Sequence, residues 1–460
     1  MTRLASAPWR PHDPSESEPT SATPARWPTL ALIVFVAVLP LEWVTVTSAG
    51  GGFIKPFHLA AFVFIGLCLL RWRPGVLLGP AWRRHWAVYG AYTFLLCVVF
   101  AGGLAYRDPF LSRVIVMRQA YYLAVALVIT GFIVLVIGRR AQLWLAASGA
   151  AASLVLSMGF SLALAKQHAN PFSIVRDAVA QSNPDIITYQ LLRSAFRTDE
   201  DLAEVAANLR HKVFVGLLVA VLLGLACSKI LEQRQRFLRV LSAVAGAIGF
   251  ALVTLSLSRS TILCMLVPLA LFPLRLIVRN RARPAQALGL ALAVATALAL
   301  LISPVGELLY ARFTATGSYE SRITAAGPSF LEDFEGAAFA GAPKAAVEKS
   351  PHNFVLHSWL SGGVLAAAAA TVMLLSVAKV WLVEAKRYLL DGPGWVIPVE
   401  QIWVLGLGVI PLIRAFTSGS QFHMVEWTAI ALFLGLTFAN ERAAARDQPS
   451  VASAVLNRSR

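Results

Sequence analysis

The chain is a succession of apolar runs, each about long enough to cross a bilayer's hydrocarbon core, separated mostly by short connections that hold many of its charges. That pattern restricts the fold. Lipid offers no hydrogen bonds, so a spanning segment must satisfy its N–H and C=O groups within itself, as a helix does. Twelve stretches qualify, near residues 29–48, 56–71, 86–104, 119–138, 141–165, 212–231, 238–257, 260–277, 285–303, 355–378, 400–417 and 422–440. Only 14% of the 460 residues are charged, against roughly 25% in soluble domains, and 57% are hydrophobic. The expected fold class is an all-α polytopic membrane protein with about twelve transmembrane helices.

Charge placement sets the topology. Residues 240–274 contain a single charge, Arg259, and would run about 50 Å as one helix, which is long for one span and short for two. Arg234, Arg236 and Arg239 precede this stretch, and Arg275, Arg279, Arg281 and Arg283 follow it. Both clusters belong on the cytoplasmic side by the positive-inside rule, so the chain crosses twice and turns near Ser258-Arg259-Ser260. The same rule assigns Arg71, Arg73, Arg83, Arg84, Arg139, Arg140, Lys379, Lys386, Arg387 and both termini to the cytoplasm. A disordered tail is expected over residues 1–28, a transmembrane domain over 29–440, and a second tail over 441–460. The longest outer segments are 166–211 and 304–354.

A net charge of +16 would raise nucleic-acid binding in a soluble protein. Here the cations alternate with apolar runs, so anionic headgroups account for them and nucleic acid is not an expected partner. Cys68, Cys97, Cys227 and Cys264 all lie inside apolar stretches, where neither a disulfide framework nor a metal motif is readable.

The assigned topology collects Arg210, Arg259, Arg312, Arg322, the pair His352-Asn353, His357 and Arg414 on one outer face. An arginine at membrane depth is expensive and points to function, and Arg259, in TLSLSRSTILCM, is the sharpest case. Arg210 follows a helix start at Thr198-Asp199-Glu200-Asp201 that runs into the sixth span. The Asp-x-Asp spacing there reads as first-turn acids rather than as a metal site. His352 stands in Ser350-Pro351-His352-Asn353-Phe354, whose residue types also suit a helix entry. His211 and His357 read as packing residues.

The run LYARF…GSYESRI…FAGAPKAAVEKSPHNFVLHSWLSGGV resembles the signature of the bacterial O-antigen ligase and polysaccharide polymerase family. In that family an arginine and a Ser-Arg pair open the large periplasmic loop, a short glycine-containing stretch follows, and a His-Asn pair precedes a span with a glycine turn. Ser258-Arg259 matches the family's upstream Ser-Arg. The specific likeness covers about residues 205–375. It departs from the family at Phe339-Ala340-Gly341-Ala342-Pro343, a thinner version of a Pro-x-x-Gly-x-Gly segment.

The resemblance implies a GT-C-like glycosyltransferase in the bacterial inner membrane, with its active site periplasmic. It would transfer a glycan from undecaprenyl diphosphate to an acceptor hydroxyl, with inversion and without metal or cofactor. The acceptor would be a growing glycan, lipid A-core or a second lipid-linked repeat unit. His352 would be the catalytic base, and Arg210, Arg259, Arg312, Arg322, Arg414 and Asn353 would bind diphosphate or glycan. These residue types suit the task. A guanidinium fork pairs with phosphate oxygens and keeps its charge, and an imidazole titrates near working pH. The competing expectation is a transporter or flippase of a lipid-linked or anionic substrate, a class that favours charges near the membrane midplane and paired, broken helices.

Overall fold

The structure is a computed structural model that describes residues 25–49, 52–105, 115–166, 170–183, 186, 203–233, 235–279, 307, 310, 341, 353–391, 395–417 and 422–447. His352, Arg312, Arg322, the stretch 285–303 and the expected helix start at Thr198–Asp201 lie outside them. Among the described residues the fold is helical, apart from one short hairpin.

In chain order the helices are α1 (Arg26–Val38), α2 (Pro56–Arg71), α3 (Pro74–Arg84), α4 (Trp86–Ala105), α5 (Val116–Val136), α6 (Arg139–Leu145), α7 (Ser148–Lys166) and α8 (Pro171–Ala180). They continue with α9 (Ala203–Cys227), α10 (Arg236–Leu255), α11 (Arg259–Arg279), α12 (Phe354–Lys386), α13 (Gln401–Thr417) and α14 (Met424–Asp447). Strands β1 (Thr47–Ala49) and β2 (Gly52–Ile54) pair antiparallel between α1 and α2.

Seven helical segments among the described residues are long and apolar enough to cross a membrane. The count becomes eight if α2 and α3, which meet at 109°, form one broken span. Each expected stretch other than 285–303 overlaps a helix, 29–48 only over its first half. The long 240–274 stretch is two helices, α10 and α11, as the flanking arginines require.

One element differs from expectation. The stretch 29–48 is helical only to Val38, because Pro40 has no N–H to extend the ladder, and 13 residues reach roughly 20 Å against a core of about 30 Å. α2 ends at Arg71, where the expected 56–71 stretch ends. Pro74 opens a separate helix after the extended Trp72 and Arg73.

α9 is the central post, buried nearly throughout from Val213 to Cys227, and it packs against α7, α10 and α13. α12 lies along α4, and α14 along α5 and α13. Where α7 meets α9 the backbones close to contact, since a Cβ on Gly224 would stand 2.9 Å from the Gly149 nitrogen. Small residues permit this intimacy where lipid supplies no hydrophobic drive. α10 turns its apolar side outward, with Phe237 and Val240 among the exposed residues, a pattern suited to an apolar solvent.

α12 is kinked. Gly362 and Gly363 leave helical geometry, and Gly363 has φ 71°, a left-handed conformation that only glycine adopts at little cost. Gly341, at φ 78° and buried, fits into this kink, where an added Cβ would come 2.7 Å from the Gly362 nitrogen.

Candidate functional site

The starts of α2, α5, α12 and α14 and the end of α13 meet at one end of the bundle. Gln119 of α5 donates through Nε2 to the Phe422 carbonyl at 2.9 Å and accepts from Tyr92 at 2.7 Å. Tyr121 donates to the His58 carbonyl on α2. Phe354, the first residue of α12, stacks on Phe422, and Tyr92 meets Trp427 edge-on at 4.6 Å. Beneath this cluster a void of about 20 Å³, room for one water, is lined by Tyr92, Gln119, Phe354, His357, Ser358 and Ser361.

Charges converge on the same end. Arg414, near the end of α13, donates through Nε to Oε1 of Glu426 on α14 at 2.8 Å, and both side chains are almost wholly buried. The other Glu426 oxygen accepts the His423 backbone N–H at 2.9 Å, so the carboxylate also caps the entry to α14. Arg414 Nη1 has no hydrogen-bond partner among the described residues. Lys55 pairs with Glu42 across the hairpin.

His423, between α13 and α14, is held well below the ordinary imidazole value by burial and then by Lys212, Arg118, Arg414 and Lys55. Its imidazole is therefore neutral, a proton acceptor rather than a further cation. Lys212 of α9 lies in turn within electrostatic reach of Glu42, Lys55, Glu426 and Arg118. Lys55, Arg118 and Arg414 face Glu42 and Glu426, so the surplus is positive even without a charge on Lys212. Such a cluster at the end of the bundle favours a polyanion, and Arg414 Nη1 supplies a donor unspent among the described residues.

α11 reaches the same region, because it packs along α13, which carries Arg414. At the start of α11, Leu257 is in a left-handed conformation (φ 50°) and Ser256, Ser258, Ser260 and Thr261 are buried, with Ser258 and Thr261 hydroxyls 2.8 Å apart. Arg259 opens α11 from this hydroxyl-lined turn and is partly buried. A strained residue persists where its surroundings over-determine it, commonly at functional sites.

Of the residues singled out from sequence, Arg414 is in the charged cluster itself. Asn353 sits beside it through the Phe354–Phe422 stack and caps α12, its Oδ1 accepting from the Val355 and Leu356 nitrogens at 2.9 and 3.1 Å. Arg210 is on α9, two residues before Lys212. His357 is buried within α12, as a packing residue would be. Glu42, Lys55, Arg118, Lys212, His423 and Glu426 were not selected from the sequence. Glu426 had a visible signal, a lone carboxylate ahead of the apolar run WTAIALFLGLTFAN. No protein-family model matches the chain, and no curated protein matches it significantly.

Proposed function

We propose that the chain is a glycosyltransferase of cell-surface polysaccharide synthesis, an O-antigen ligase or repeat-unit polymerase. In this reading it moves a glycan from undecaprenyl diphosphate to an acceptor hydroxyl at the periplasmic face of a twelve-span bundle. The observation that supports this reading is the charged cluster at one end of the bundle, with Arg414 Nη1 left to donate. A lipid diphosphate is already a good leaving group, so the chemistry asks the protein chiefly to neutralise its growing charge. Arg210, Arg259, Arg312, Arg322 and Arg414 take that role, assisted by Lys212. His352 takes the acceptor proton, and Asn353 holds the entry to α12 beside it. The glycosidic bond to the diphosphate breaks as the acceptor oxygen bonds the anomeric carbon, and the diphosphate leaves with the carrier.

The test is transfer by the purified full-length protein in liposomes holding a polyprenyl-diphosphate-linked glycan and an acceptor. His352→Ala and Arg259→Ala are expected to abolish transfer while both variants stay folded in the membrane. Wild-type rates from both would overturn the reading.

A second reading is a transporter or flippase of a lipid-linked or anionic substrate. It is favoured by the buried Arg414–Glu426 pair, the 109° break between α2 and α3, and the α12 kink, features that discontinuous-helix transporters share. Movement of labelled carrier across protein-containing liposomes, with no sugar joined, would favour it.

A further inference from the structure

At the opposite end of the bundle, the start of α1 and the connection between α5 and α6 line an open cavity of about 620 Å³. It is lined by Ala25, Arg26, Thr29, Val136, Gly138, Arg139, Arg140, Ala141 and Trp144, a set with three guanidinium groups and no carboxylate. None of the three arginines has an ion-pair partner among the described residues. By contrast, Arg84 and Arg387 at the same end each pair with a glutamate, Glu441 and Glu384.

The walls are amphipathic. Arg26 lies over the Trp144 ring at 5.7 Å, and the Trp27 ring is 5.9 Å from the same guanidinium. Both indoles are substantially exposed, as at the headgroup level of a bilayer. Trp27 and Val34, two helical turns apart on one face of α1, are exposed as well, and Leu143 is exposed on α6. Trp27 and Val34 therefore form an apolar track on the outside of α1, beside the cavity. Three unpaired guanidinium groups call for a phosphate, and the adjoining apolar track calls for acyl chains.

We propose that this cavity binds the phosphate headgroup of an anionic phospholipid, held by Arg26, Arg139 and Arg140, with its chains lying along Trp27 and Val34. A free phosphate would satisfy the arginines but leave the apolar track unused. The site is independent of the charged cluster at the far end.

Native mass spectrometry of the full-length protein in detergent, titrated with phosphatidylglycerol or phosphatidylcholine, tests the proposal. The wild type is expected to retain phosphatidylglycerol selectively. R26Q/R139Q/R140Q is expected to weaken that retention on the order of tenfold or more, and R140Q alone by an intermediate factor. All three arginines are exposed, so the substitutions leave no buried charge behind. R236Q/R239Q, which removes two exposed arginines at the start of α10, is expected to retain the lipid like wild type. Equal losses in the two multiple variants would reduce the effect to general surface charge and overturn the proposal. So would full displacement of the lipid by millimolar inorganic phosphate, which would assign the cavity to a free anion.

Discussion

The rings of Phe354 and Phe422 lie nearly parallel, 4.4 Å between centroids and 7° between planes. They join the first residue of α12 to the residue that leads into His423 and the α14 entry, though 68 positions of sequence separate them. Both are almost completely buried, and Gln119 holds the Phe422 carbonyl. Phe422→Ala should therefore cost about 3–5 kcal/mol of stability, and Phe422→Leu distinctly less, read as thermal unfolding in detergent. Transfer should fall in both, because the stack sets the distance from Asn353 to the charged cluster.

Arg414 and Glu426 supply a sharper test. Removing either partner strands a buried charge, so Arg414→Leu or Glu426→Leu should each destabilise by about 3–5 kcal/mol. Replacing both by leucine should recover most of that loss, since paired apolar substitution of a buried ion pair is often neutral. Unfolding midpoints check this thermodynamic half. Transfer should remain absent in the double variant, because the stability lost with the pair returns but the phosphate donor does not.

Asn353 separates capping from recognition. Its Oδ1 is committed to the α12 nitrogens, which leaves the amide donor for a substrate. Asn353→Ala should lose about 1 kcal/mol of stability with the cap. Asn353→Asp keeps the acceptor but offers no donor and adds negative charge. It should unfold like wild type and transfer on the order of tenfold more slowly, which a rate assay alongside a melting curve resolves.

Acid should destabilise the opposite end of the bundle. His85, between α3 and α4, is buried and is lowered from 6.5 to about 4, by desolvation first and then by Arg84. Between those two values the unfolded chain takes up a proton that the folded chain refuses, so stability is full above about pH 6.5 and declines as pH falls towards 4. The loss is on the order of 3 kcal/mol for this one group. Melting temperatures from pH 7.5 to 4.5 should drop less steeply in His85→Gln than in the wild type. His423 shifts the same way, so some slope should remain.

Most of the helical framework was legible in the sequence, because a span must be apolar over its whole length and basic at its cytoplasmic connections. The split of 240–274 into α10 and α11 followed from seven flanking arginines and nothing else. The early end of α1 was also written there, in Pro40 and in Glu42 two residues later, but a hydropathy count averages over both. The charged cluster was largely illegible. Its members come from residues 42, 55, 118, 212, 414, 423 and 426, and no local spacing records that α2, α5, α9, α13 and α14 bring their ends together. Arg414 was found because arginine is costly in lipid. Its partner Glu426 is less legible, because a carboxylate next to an apolar run does not record which cation it holds in place.

Gly341 carries a consequence for how far the chain penetrates. It touches α12 at Gly362, nine residues beyond the cap, which places it roughly 13 Å along the helix axis from Asn353. Gly341 therefore stands alongside α12 well past the helix start. Non-helical backbone is tolerated at such depth only inside protein, and Gly341 is buried. The break in α12 is therefore not a bare gap in a helix but a seam of two backbones in contact, with no room for a side chain at Gly341.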